Sequence, residues 1–371
     1  MKVLLVDLET GWRGGQNQAL LLLKGLRERG HEPELVAADG SALGERARSA
    51  GVRVHFVSRG VFRLPAAQKV RALLRSGGFD LVHANEAHAV TAVWLAVWER
   101  RKPLRVPFVI SRRVGYPIGK SSLAQARYRA AAKIVANSKW VAEQAAVSGA
   151  PCEKISVVYE GADIPARLTA EQRQCARARW GIQQSTRLLG CLGVLLPDKG
   201  QEWLIRALAQ VKKEFPGTKL LLAGDGPRRG QLESLARELG LKDDVIFAGF
   251  VKDVENVYAA LDVFLLPSFF EALNNSLLAA MAYEIPSIAF NRGALGEIIE
   301  HEKSGLLVSG PDVAEISAAA VRILRDHELG IALGRAGRVR IEDNFSTNKM
   351  VLGMIRVYEE CLRSNPVSSP V

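Results

Sequence analysis

The sequence predicts an α/β protein made of two doubly wound domains. Its 371 residues are more than one typical hydrophobic core organises. In both halves, apolar segments of strand length alternate with amphipathic segments of helix length. The alternation is interrupted once, at residues 160–184, which contain Pro165 and a charged helical stretch but no strong strand signal. Alternating strands and helices form parallel sheets covered on both faces, and such sheets bind ligands at the carboxyl ends of their strands.

The first half opens with a buried-type strand and continues as a regular alternation. We predict strands at residues 2–7, 34–37, 53–57, 81–84, 106–111, 133–136 and 155–159. We predict helices at residues 19–28, 42–50, 66–75 and 90–99, with further helices between the later strands. Before the first helix, Gly14 and Gly15 allow the backbone to approach a ligand, and Gln16 or Asn17 is expected to cap the helix.

The second half repeats this organisation after an apolar strand at residues 187–192. Further strands are predicted at residues 219–223, 245–248, 263–266, 287–290 and 305–308. The helices between them are predicted to end near residues 213, 239 and 260, and a helical tail runs to residue 362. The chain therefore contains no short repeat, but a doubly wound domain occurs twice.

Residues 267–286, PSFFEALNNSLLAAMAYEIP, join one predicted strand to the next and form the most informative stretch. A carboxylate stands at Glu271, and an amphipathic helix follows whose capping side chains are Asn274, Asn275 and Ser276. Backbone N–H groups at the helix start would face an anion, while Glu271 would face a neutral, hydroxyl-rich part of the same ligand. An ordinary joint between a strand and a helix is the alternative interpretation, and this stretch alone favours neither.

The positive charge of the chain is concentrated in its first half. The net charge is +11, and residues 1–163 hold 25 Lys and Arg against 14 Asp and Glu, whereas the remainder holds 25 of each. Such a field suits nucleic acid, an anionic lipid surface or an anionic substrate. The basic residues, Arg100, Arg101 and Lys102 among them, are dispersed and lack a stacking aromatic pattern. We therefore rank a membrane-associated anionic acceptor above nucleic acid, which is not expected as a partner, and solubility alone is the plain alternative.

Cysteine usage and the N-terminus predict a cytoplasmic protein. The four cysteines show neither CxxC spacing nor clustered histidines, which is typical of reduced thiols and argues against a disulfide framework or a metal site. The N-terminal apolar run is too short for a secretion signal, and no window approaches the ~20 apolar residues of a membrane span. We expect no metal and no membrane anchor within this sequence.

A series of motifs resembles the retaining glycosyltransferases of family 4, which have the GT-B fold of two Rossmann-like domains facing across a cleft. The series begins with the Gly14-Gly15 turn and continues with DLVHANEAHA (80–89), KIVANSKWVAEQ (133–144), ISVVYEGAD (155–163), GVLLPDKG (193–200), LLAGDGP (221–227), VIFAGFVKDV (245–254) and PSFFEALNNSLLAAMA (267–282). It covers nearly the whole chain, and its order and spacing are specific. In the family the last helices cross back onto the first domain, which implies an acceptor-side domain of residues 1–165 plus 350–371 and a donor domain of residues 166–349.

The resemblance implies transfer of a sugar from a UDP-, GDP- or ADP-sugar to an acceptor hydroxyl, with retention of configuration and without a metal or other cofactor. It implies donor contacts from Gly14, Gly15, Gln16, Lys199, Gly224, Gly226, Phe250, Val251, Glu271, Asn274, Asn275, Ser276 and Leu277. In this scheme Lys199 meets the diphosphate together with the glycine turn and the N–H groups of residues 275–277. Phe250 and Val251 hold the base edge, and Glu271 lies beside the sugar hydroxyls. Lys199 and Glu271 are therefore also catalytic candidates.

On the acceptor side, the family places a histidine near the reacting carbon, and His88 and His83 are the two candidates here. The common H-x-H pattern reads His83-Ala84-Asn85, and an asparagine cannot act as a base near neutral pH. We prefer His88, because a helix start would keep it neutral, and a structural role is the alternative for either histidine. Further acceptor-side candidates are Arg112, Arg113 and Tyr116; the alternative interpretation is that they are solvated surface residues. The implied acceptor is a glycan or glycolipid, such as a lipopolysaccharide core, at the inner face of the cytoplasmic membrane.

Two positions depart from the family pattern. The family's paired carboxylates stand eight residues apart, and the second position here is Ala279. A carboxylate that holds the ribose contributes ~1.5–3 kcal/mol, so its loss is expected to cost roughly 10- to 150-fold in donor affinity. Val194 replaces an arginine beside the diphosphate and cannot neutralise phosphate. The alternatives are an altered donor site, a weakened or inactive nucleotide-binding protein, two artificially altered positions or, ranked last, a nucleotide-sugar epimerase of the same fold.

Overall fold

The computed structural model describes residues 1–58, 63–98 and 106–364. The chain divides into two compact units: unit 1 comprises Met1–Gly161 and Thr347–Val371, and unit 2 comprises Ala162–Ser346. The junctions predicted from the sequence, after residues 165 and 349, lie a few residues further along the chain than these divisions. Arg100, Arg101 and Lys102, which contribute to the positive charge of the first half, lie outside the described residues.

Thirteen strands are present in the described residues. They are β1 Lys2–Asp7, β2 Glu32–Ala38, β3 Arg53–Val57, β4 Leu81–Ala84, β5 Phe108–Arg112, β6 Lys133–Ala136, β7 Ile155–Val157, β8 Leu188–Leu192, β9 Lys219–Ala223, β10 Val245–Gly249, β11 Val263–Leu266, β12 Ser287–Phe290 and β13 Leu306–Val308.

Fifteen α-helices alternate with these strands in the same part of the chain. They are α1 Gly14–Glu28, α2 Ala42–Ser49, α3 Leu64–Ser76, α4 Ala87–Val97, α5 Ser122–Ala130, α6 Lys139–Val147, α7 Ala170–Arg179, α8 Gln201–Glu214, α9 Arg229–Glu238, α10 Glu255–Ala260, α11 Asn275–Ala282, α12 Leu295–Ile298, α13 Val313–Arg325, α14 His327–Asn344 and α15 Thr347–Ser364.

Unit 1 is built on a parallel sheet in the order β3-β2-β1-β4-β5-β6-β7. The order reverses between β1 and β4, because the chain first moves outward through β2 to β3 and then returns to the other side of β1. Such a reversal opens a crevice at the carboxyl ends of the two neighbouring strands. Buried apolar side chains of α1, α2 and α15 pack on one face of the sheet, and those of α3 and α4 pack on the other.

The last helix, α15, packs within unit 1 although it follows unit 2 in the chain. It lies against α1, where a Cβ built on Gly25 would come within 2.5 Å of the Val351 side chain. Tyr358 of α15 is fully buried, and its hydroxyl lies 2.7 Å from Nδ1 of His83 on β4. A contact between residues so far apart in sequence ties the last helix to the centre of the sheet.

Unit 2 repeats the arrangement with six parallel strands in the order β10-β9-β8-β11-β12-β13. Its order reverses between β8 and β11, so the corresponding crevice lies at the carboxyl ends of those two strands. A buried, mainly aliphatic cluster is formed by side chains of the strands and of α8, α9 and α13.

The predicted α/β organisation is confirmed, and several strands have the predicted bounds, including β1, β3, β4, β6, β9, β11 and β12. The first helix begins earlier than predicted, since the Arg13 carbonyl accepts from the N–H groups of Gln16 and Asn17 at 3.1 Å. The prediction that Gln16 or Asn17 caps this helix is therefore wrong, because Arg13 is the N-cap and no side chain caps it. Helix α4 also begins earlier, at Ala87, because Glu86 caps it.

Candidate functional site

The crevice of unit 2 brings together Lys199, from the segment after β8, and Glu271, from the segment after β11. Lys199 ends a short 3₁₀ turn, Pro197–Lys199, and its Nζ donates to Glu271 Oε1 at 2.7 Å. Glu271 is only 7% exposed, so the attraction within the pair is weakly screened by solvent. The two side chains are thus adjacent, and each neutralises the other.

Asn274 both caps α11 and orients Glu271. Its Oδ1 accepts from the N–H of Leu277 at 2.8 Å, and its Nδ2 donates to Glu271 Oε1 at 2.9 Å. In this structure the N–H of Leu277 is bonded to the cap, so its predicted role toward an anion stays a prediction. Asn275 and Ser276 form the first turn of α11 and are half-buried.

Gly224 and Gly226 lie where the turn after β9 meets the segment after β8. Gly224 has a φ of 138°, and a Cβ at this position would lie 1.9 Å from the carbonyl oxygen of Gly193. A Cβ at Gly226 would lie 2.5 Å from the carbonyl oxygen of Leu195. The N–H of Leu195 in turn donates to the carbonyl oxygen of Asp225 at 3.0 Å. The backbone packing of this edge requires both glycines, independently of any ligand.

Exposed apolar side chains flank this edge of unit 2. Phe250 follows β10 and is 77% exposed, and Val194 follows β8 and is 49% exposed, while Val251 is half-buried. Ala279 on α11 is half-buried and has no polar side-chain atom. An exposed aromatic ring suits a flat partner, whereas neither Val194 nor Ala279 adds a charge beside Lys199 and Glu271.

Cys191 in β8 is buried close to this charged pair. Burial raises the pKa of its thiol to about 12, the charge of Lys199 opposes this rise, and that of Glu271 adds to it. Cys191 therefore remains a protonated, unreactive thiol at neutral pH. Like Cys152, Cys175 and Cys361, it is a free cysteine.

In unit 1, the Gly14-Gly15 turn begins α1 at the edge of the crevice. Gln16, the next residue, is 5% exposed, and its Nε2 donates to Asp7 Oδ2 at 3.1 Å. Its side chain is therefore directed into unit 1. Burial raises the pKa of Asp7, whereas hydrogen bonds from Asn85, Gln16 and the N–H of Glu9, and the charge of Arg113, act in the opposite direction.

The two candidate histidines occupy different environments. His83 is fully buried, with Nδ1 2.7 Å from the Tyr358 hydroxyl and Nε2 2.7 Å from the Ser111 hydroxyl. Burial, with a smaller effect of Arg113, lowers the pKa of His83 to about 3, so its ring is neutral at physiological pH. Both ring nitrogens are thus paired, which favours the structural role, the alternative interpretation of this residue. His88 is exposed in the first turn of α4.

A cavity of about 280 Å³ lies beside His88 at the carboxyl ends of β1, β2 and β3. Its polar lining consists of Glu9, Thr10, Ser58, Arg63 and His88. Arg63 donates toward His88 Nδ1 at 2.7 Å, and His88 Nε2 lies 3.5 Å from Glu9 Oε1. The exposed imidazole is thus held between a guanidinium and a carboxylate.

Glu86, next to this cavity, has an unusual carboxyl group. It accepts from the N–H groups of Leu8, His88 and Ala89, which makes it the cap of α4. Burial raises its pKa to about 7, with a contribution from the charge of Asp7, while the backbone hydrogen bonds act in the opposite direction. Glu86 therefore exchanges a proton near neutral pH.

Among the described residues, one group of side chains could coordinate a metal ion: Glu9, Glu86 and His88. Each offers one carboxylate oxygen or ring nitrogen, and these three atoms lie within 4.8 Å of one another. Two observations oppose a cation there. The guanidinium of Arg63 already lies at His88 Nδ1, and Glu86 already accepts three backbone N–H groups.

Of the predicted acceptor-side residues, the two arginines are bound internally and the tyrosine is exposed. Arg112 is 7% exposed and donates to the Tyr128 hydroxyl at 2.9 Å and to the Tyr116 carbonyl. Arg113 pairs with Glu160 at 3.0 Å and donates to Asn85. Both guanidinium groups thus bind partners inside unit 1, and their place on the acceptor side stays a prediction. Tyr116 itself is 60% exposed.

The sequence interpretation missed Asp7, Glu86 and Glu160 as parts of the site. Each is a carboxylate at or just beyond the end of a strand, and this position was available as a signal. Arg63 carried no such signal, because its contact with His88 depends on the fold.

Comparison with known proteins identifies the family. A family model described as Glycosyltransferase Family 4 matches residues 12–165, and one described as Glycosyl transferases group 1 matches residues 186–326. The chain belongs to the family 4 glycosyltransferases. The matched residues include Gly14 and Gly15 at one crevice and Lys199 and Glu271 at the other.

Relatives of this glycosyltransferase match it over different lengths. An uncharacterized glycosyltransferase of Methanocaldococcus jannaschii is 26% identical over 91% of this chain and 92% of its own. A 2-deoxystreptamine glucosyltransferase of Streptomyces kanamyceticus is 30% identical over 67% of this chain and 66% of its own. A GDP-mannose-dependent alpha-(1-6)-phosphatidylinositol monomannoside mannosyltransferase of Mycobacterium tuberculosis is 35% identical, but the chain spans only 41% of its length.

Solved structures share the fold. Anabaena Alr3699/HepE in complex with UDP and glucose has a TM-score of 0.84 at 22% identity and covers 97% of this chain and 99% of its own. WaaG, a glycosyltransferase involved in lipopolysaccharide biosynthesis, has a TM-score of 0.68 at 17% identity and covers 96% and 98%. This glycosyltransferase therefore has the two-domain α/β fold of the GT-B class.

Proposed function

We propose that this glycosyltransferase moves a sugar from a nucleotide-sugar donor to a hydroxyl of a glycan or glycolipid acceptor, with retention of configuration and without a metal. The observation that carries the proposal is the group formed by Lys199, Glu271 and Asn274 at the crevice of unit 2. It offers a cation, a carboxylate and a helix start at the carboxyl ends of parallel strands, where ligands bind.

These side chains suit the chemistry of sugar transfer. The bond between the anomeric carbon and the diphosphate breaks, the diphosphate leaves with the electron pair, and the acceptor oxygen forms the new bond and loses its proton. Charge therefore develops on the leaving diphosphate, where a fixed cation such as Lys199 stabilises it. Glu271 accepts hydrogen bonds from sugar hydroxyls, and N–H groups at a helix start assist the diphosphate.

The donor is expected to stabilise the protein against heat. A ligand present at about 100 times its dissociation constant stabilises the folded state by ~2.7 kcal/mol. We therefore test UDP, GDP and ADP, each with and without an attached sugar, in a thermal-shift experiment. The compounds that carry one of the three bases should raise the melting temperature above that of the protein without ligand. If none of these compounds changes the melting temperature, the proposed function is wrong.

Restoring the second carboxylate by Ala279→Glu is expected to tighten donor binding. A charged hydrogen bond to the ribose is worth ~1.5–3 kcal/mol, which corresponds to roughly 10- to 150-fold in dissociation constant. Isothermal titration with the preferred nucleotide measures the change, and Ala279→Gln is a control of similar size without the charge. Unchanged affinity in Ala279→Glu would show that the ribose lies elsewhere.

On the acceptor side, we propose that the cavity beside His88 receives the acceptor hydroxyl. Its lining of carboxylate, hydroxyl, guanidinium and imidazole groups suits a hydroxylated ring. His88 is exposed and Glu86 exchanges a proton near neutral pH, so both are suited to accept or relay the acceptor's proton. One relative, the mycobacterial mannosyltransferase, is described as acting on a phosphatidylinositol monomannoside. This description supports a glycolipid acceptor here.

We further propose that unit 1 associates with an anionic membrane surface. The described residues contain no helix of the length and hydropathy that a membrane span requires. The positive excess of residues 1–163 and exposed apolar side chains such as Leu123, close in sequence to Lys120, support peripheral contact. The similarity to WaaG shows only a shared fold. A lipopolysaccharide acceptor is therefore proposed here and is not shown by that similarity.

Vesicle sedimentation tests this association. The protein is expected to sediment with phosphatidylglycerol-containing vesicles and to be released as salt rises. Lys120→Glu combined with Leu123→Ser should weaken binding roughly fivefold or more, since each basic residue near such a surface contributes ~1 kcal/mol. Val339→Ser changes an equally exposed apolar residue of unit 2 and serves as the control. Equal binding to zwitterionic vesicles would contradict the proposal.

A second candidate function follows from Val194 and Ala279, since both positions lack the expected charge. The protein would then bind a nucleotide without transferring sugar. Incubation with the stabilising nucleotide-sugar and a cell-envelope extract distinguishes the two, because detected transfer excludes the binding protein. Release of an epimerised sugar from the donor alone would instead indicate an epimerase.

A further inference from the structure

The crevice of unit 1 contains a buried polar network that the proposed chemistry does not use directly. Asp7 ends β1, and Asn85 directly follows β4, so the two lie at the reversal of strand order. Asp7 is 0% and Asn85 3% exposed, and Asn85 Nδ2 donates to Asp7 Oδ2 at 2.6 Å. A buried carboxylate at this position needs a reason, because burial without partners is costly.

Arg113 fixes the orientation of the Asn85 side chain. Its guanidinium donates to Asn85 Oδ1 at 2.7 Å and to the Asn85 carbonyl at 2.9 Å, and it pairs with Glu160 at 3.0 Å. Since Oδ1 faces a cation, the amide nitrogen must face Asp7. The four residues Asp7, Asn85, Arg113 and Glu160, called here the crevice network, therefore have one consistent set of donors and acceptors.

The crevice network contacts the start of α1. Asp7 accepts from Gln16 Nε2 at 3.1 Å and from the N–H of Glu9 at 3.1 Å, and Asn85 Nδ2 lies 3.5 Å from the Gly15 carbonyl. Because no side chain caps α1, these contacts replace a cap in holding its first turn. Within the described residues, the structure shows no acceptor for the N–H groups of Gly14 and Gly15.

We propose that Asp7 and Asn85 are positioning residues that hold the Gly14-Gly15 turn with its N–H groups directed toward an anion. The inference rests on the proposed function, in which this anion is the diphosphate of the donor. Asp7 and Asn85 do not touch the donor. Asp7 and Asn85 hold the two N–H groups in place before the diphosphate binds. No conformational entropy is then lost in ordering these N–H groups on binding.

The isosteric change Asp7→Asn tests the proposal, because it substitutes an amide for a carboxylate that accepts at least three hydrogen bonds. The dissociation constant of the stabilising nucleoside diphosphate is expected to rise roughly 10-fold, about the effect of one lost hydrogen bond. Amide hydrogen exchange of residues 13–17 should become faster. Asn85→Ser is the second variant if Asp7→Asn fails to fold, and the same two changes are expected.

Tyr358→Phe provides the control. It removes a buried hydrogen bond to His83 in the same unit, and Tyr358 makes none of the hydrogen bonds described for the crevice network. It should lower the melting temperature while nucleotide affinity and exchange of residues 13–17 stay unchanged. The proposal would be overturned if Asp7→Asn or Asn85→Ser lost stability but kept the nucleotide affinity and the hydrogen exchange of residues 13–17. It would also be overturned if Tyr358→Phe changed these two quantities as much as the network variants do. If the unmodified protein binds no nucleotide, the proposed function fails, and hydrogen exchange alone still decides whether the network holds the turn.

Discussion

Lys199→Ala is expected to lower kcat/KM about 10²- to 10³-fold, the usual effect of removing one donor that stabilises a developing anion. Lys199 lies at the crevice of unit 2 with its Nζ bonded to Glu271 Oε1, and its charge is suited to the leaving diphosphate. Steady-state kinetics with the donor identified by thermal shift measure the loss. Lys252→Ala removes an exposed lysine of the same unit and controls for the change in net charge.

The partner variant, Glu271→Gln, separates the two roles of the pair. In the structure Lys199 is neutralised by Glu271, so an amide at position 271 leaves Lys199 available to phosphate. Affinity for the nucleoside diphosphate without sugar should rise, whereas turnover of the nucleotide-sugar should fall because sugar hydroxyls lose a charged acceptor. Parallel loss of nucleotide affinity in both variants would show that the pair is only structural.

Arg177→Ala is expected to destabilise unit 2 by about 3 kcal/mol, the low end of the range for breaking a buried ion pair. Arg177 is 7% exposed, pairs with Asp262 at 3.1 Å and donates to the carbonyl groups of Ala260, Gln183 and Thr186. The cost stays near the low end because Asp262 keeps the N–H of Leu188 as a donor. Unfolding in guanidinium chloride, monitored by the hydrogen exchange of β8 and β11, measures the loss in the free energy of unfolding.

Arg179→Ala is the matched control for this prediction. Arg179 lies on the same helix, α7, and pairs with Asp253 at 3.4 Å, but both side chains are more than 60% exposed. Exposed pairs contribute little, so the change should stay within about 0.5 kcal/mol. Similar losses in the two variants would mean that the helix, and not the buried guanidinium, determines stability.

Much of the site in unit 2 could be predicted from the sequence. Lys199 and Glu271 each follow an apolar strand, and the carboxyl ends of adjacent parallel strands lie at the same edge of a sheet. The helix start at Asn274 could be predicted because capping depends on neighbouring residues. The bond from Asn274 to Glu271 was not predicted, and it shows that one side chain serves both the helix and the carboxylate.

The site in unit 1 was harder to predict. Arg112 and Arg113 were predicted as acceptor-side candidates, and the sequence did not show that Arg112 binds Tyr128 or that Arg113 binds Glu160 and Asn85. Their partners come from separate elements, and the direction of a long side chain depends on all of them. The same limit concealed the cavity beside His88, whose lining is drawn from several strand ends.

By itself, the sequence determined the α/β class, most of the strands and the family, because hydrophobic periodicity and motif order are local properties of the chain. Only the tertiary structure decided which polar groups are paired and which are open. His83 is the clearest case, since its buried ring is paired with the hydroxyl of Tyr358, 275 residues away. Such partners meet only when the last helix packs on the first unit, and burial then determines the protonation of the ring.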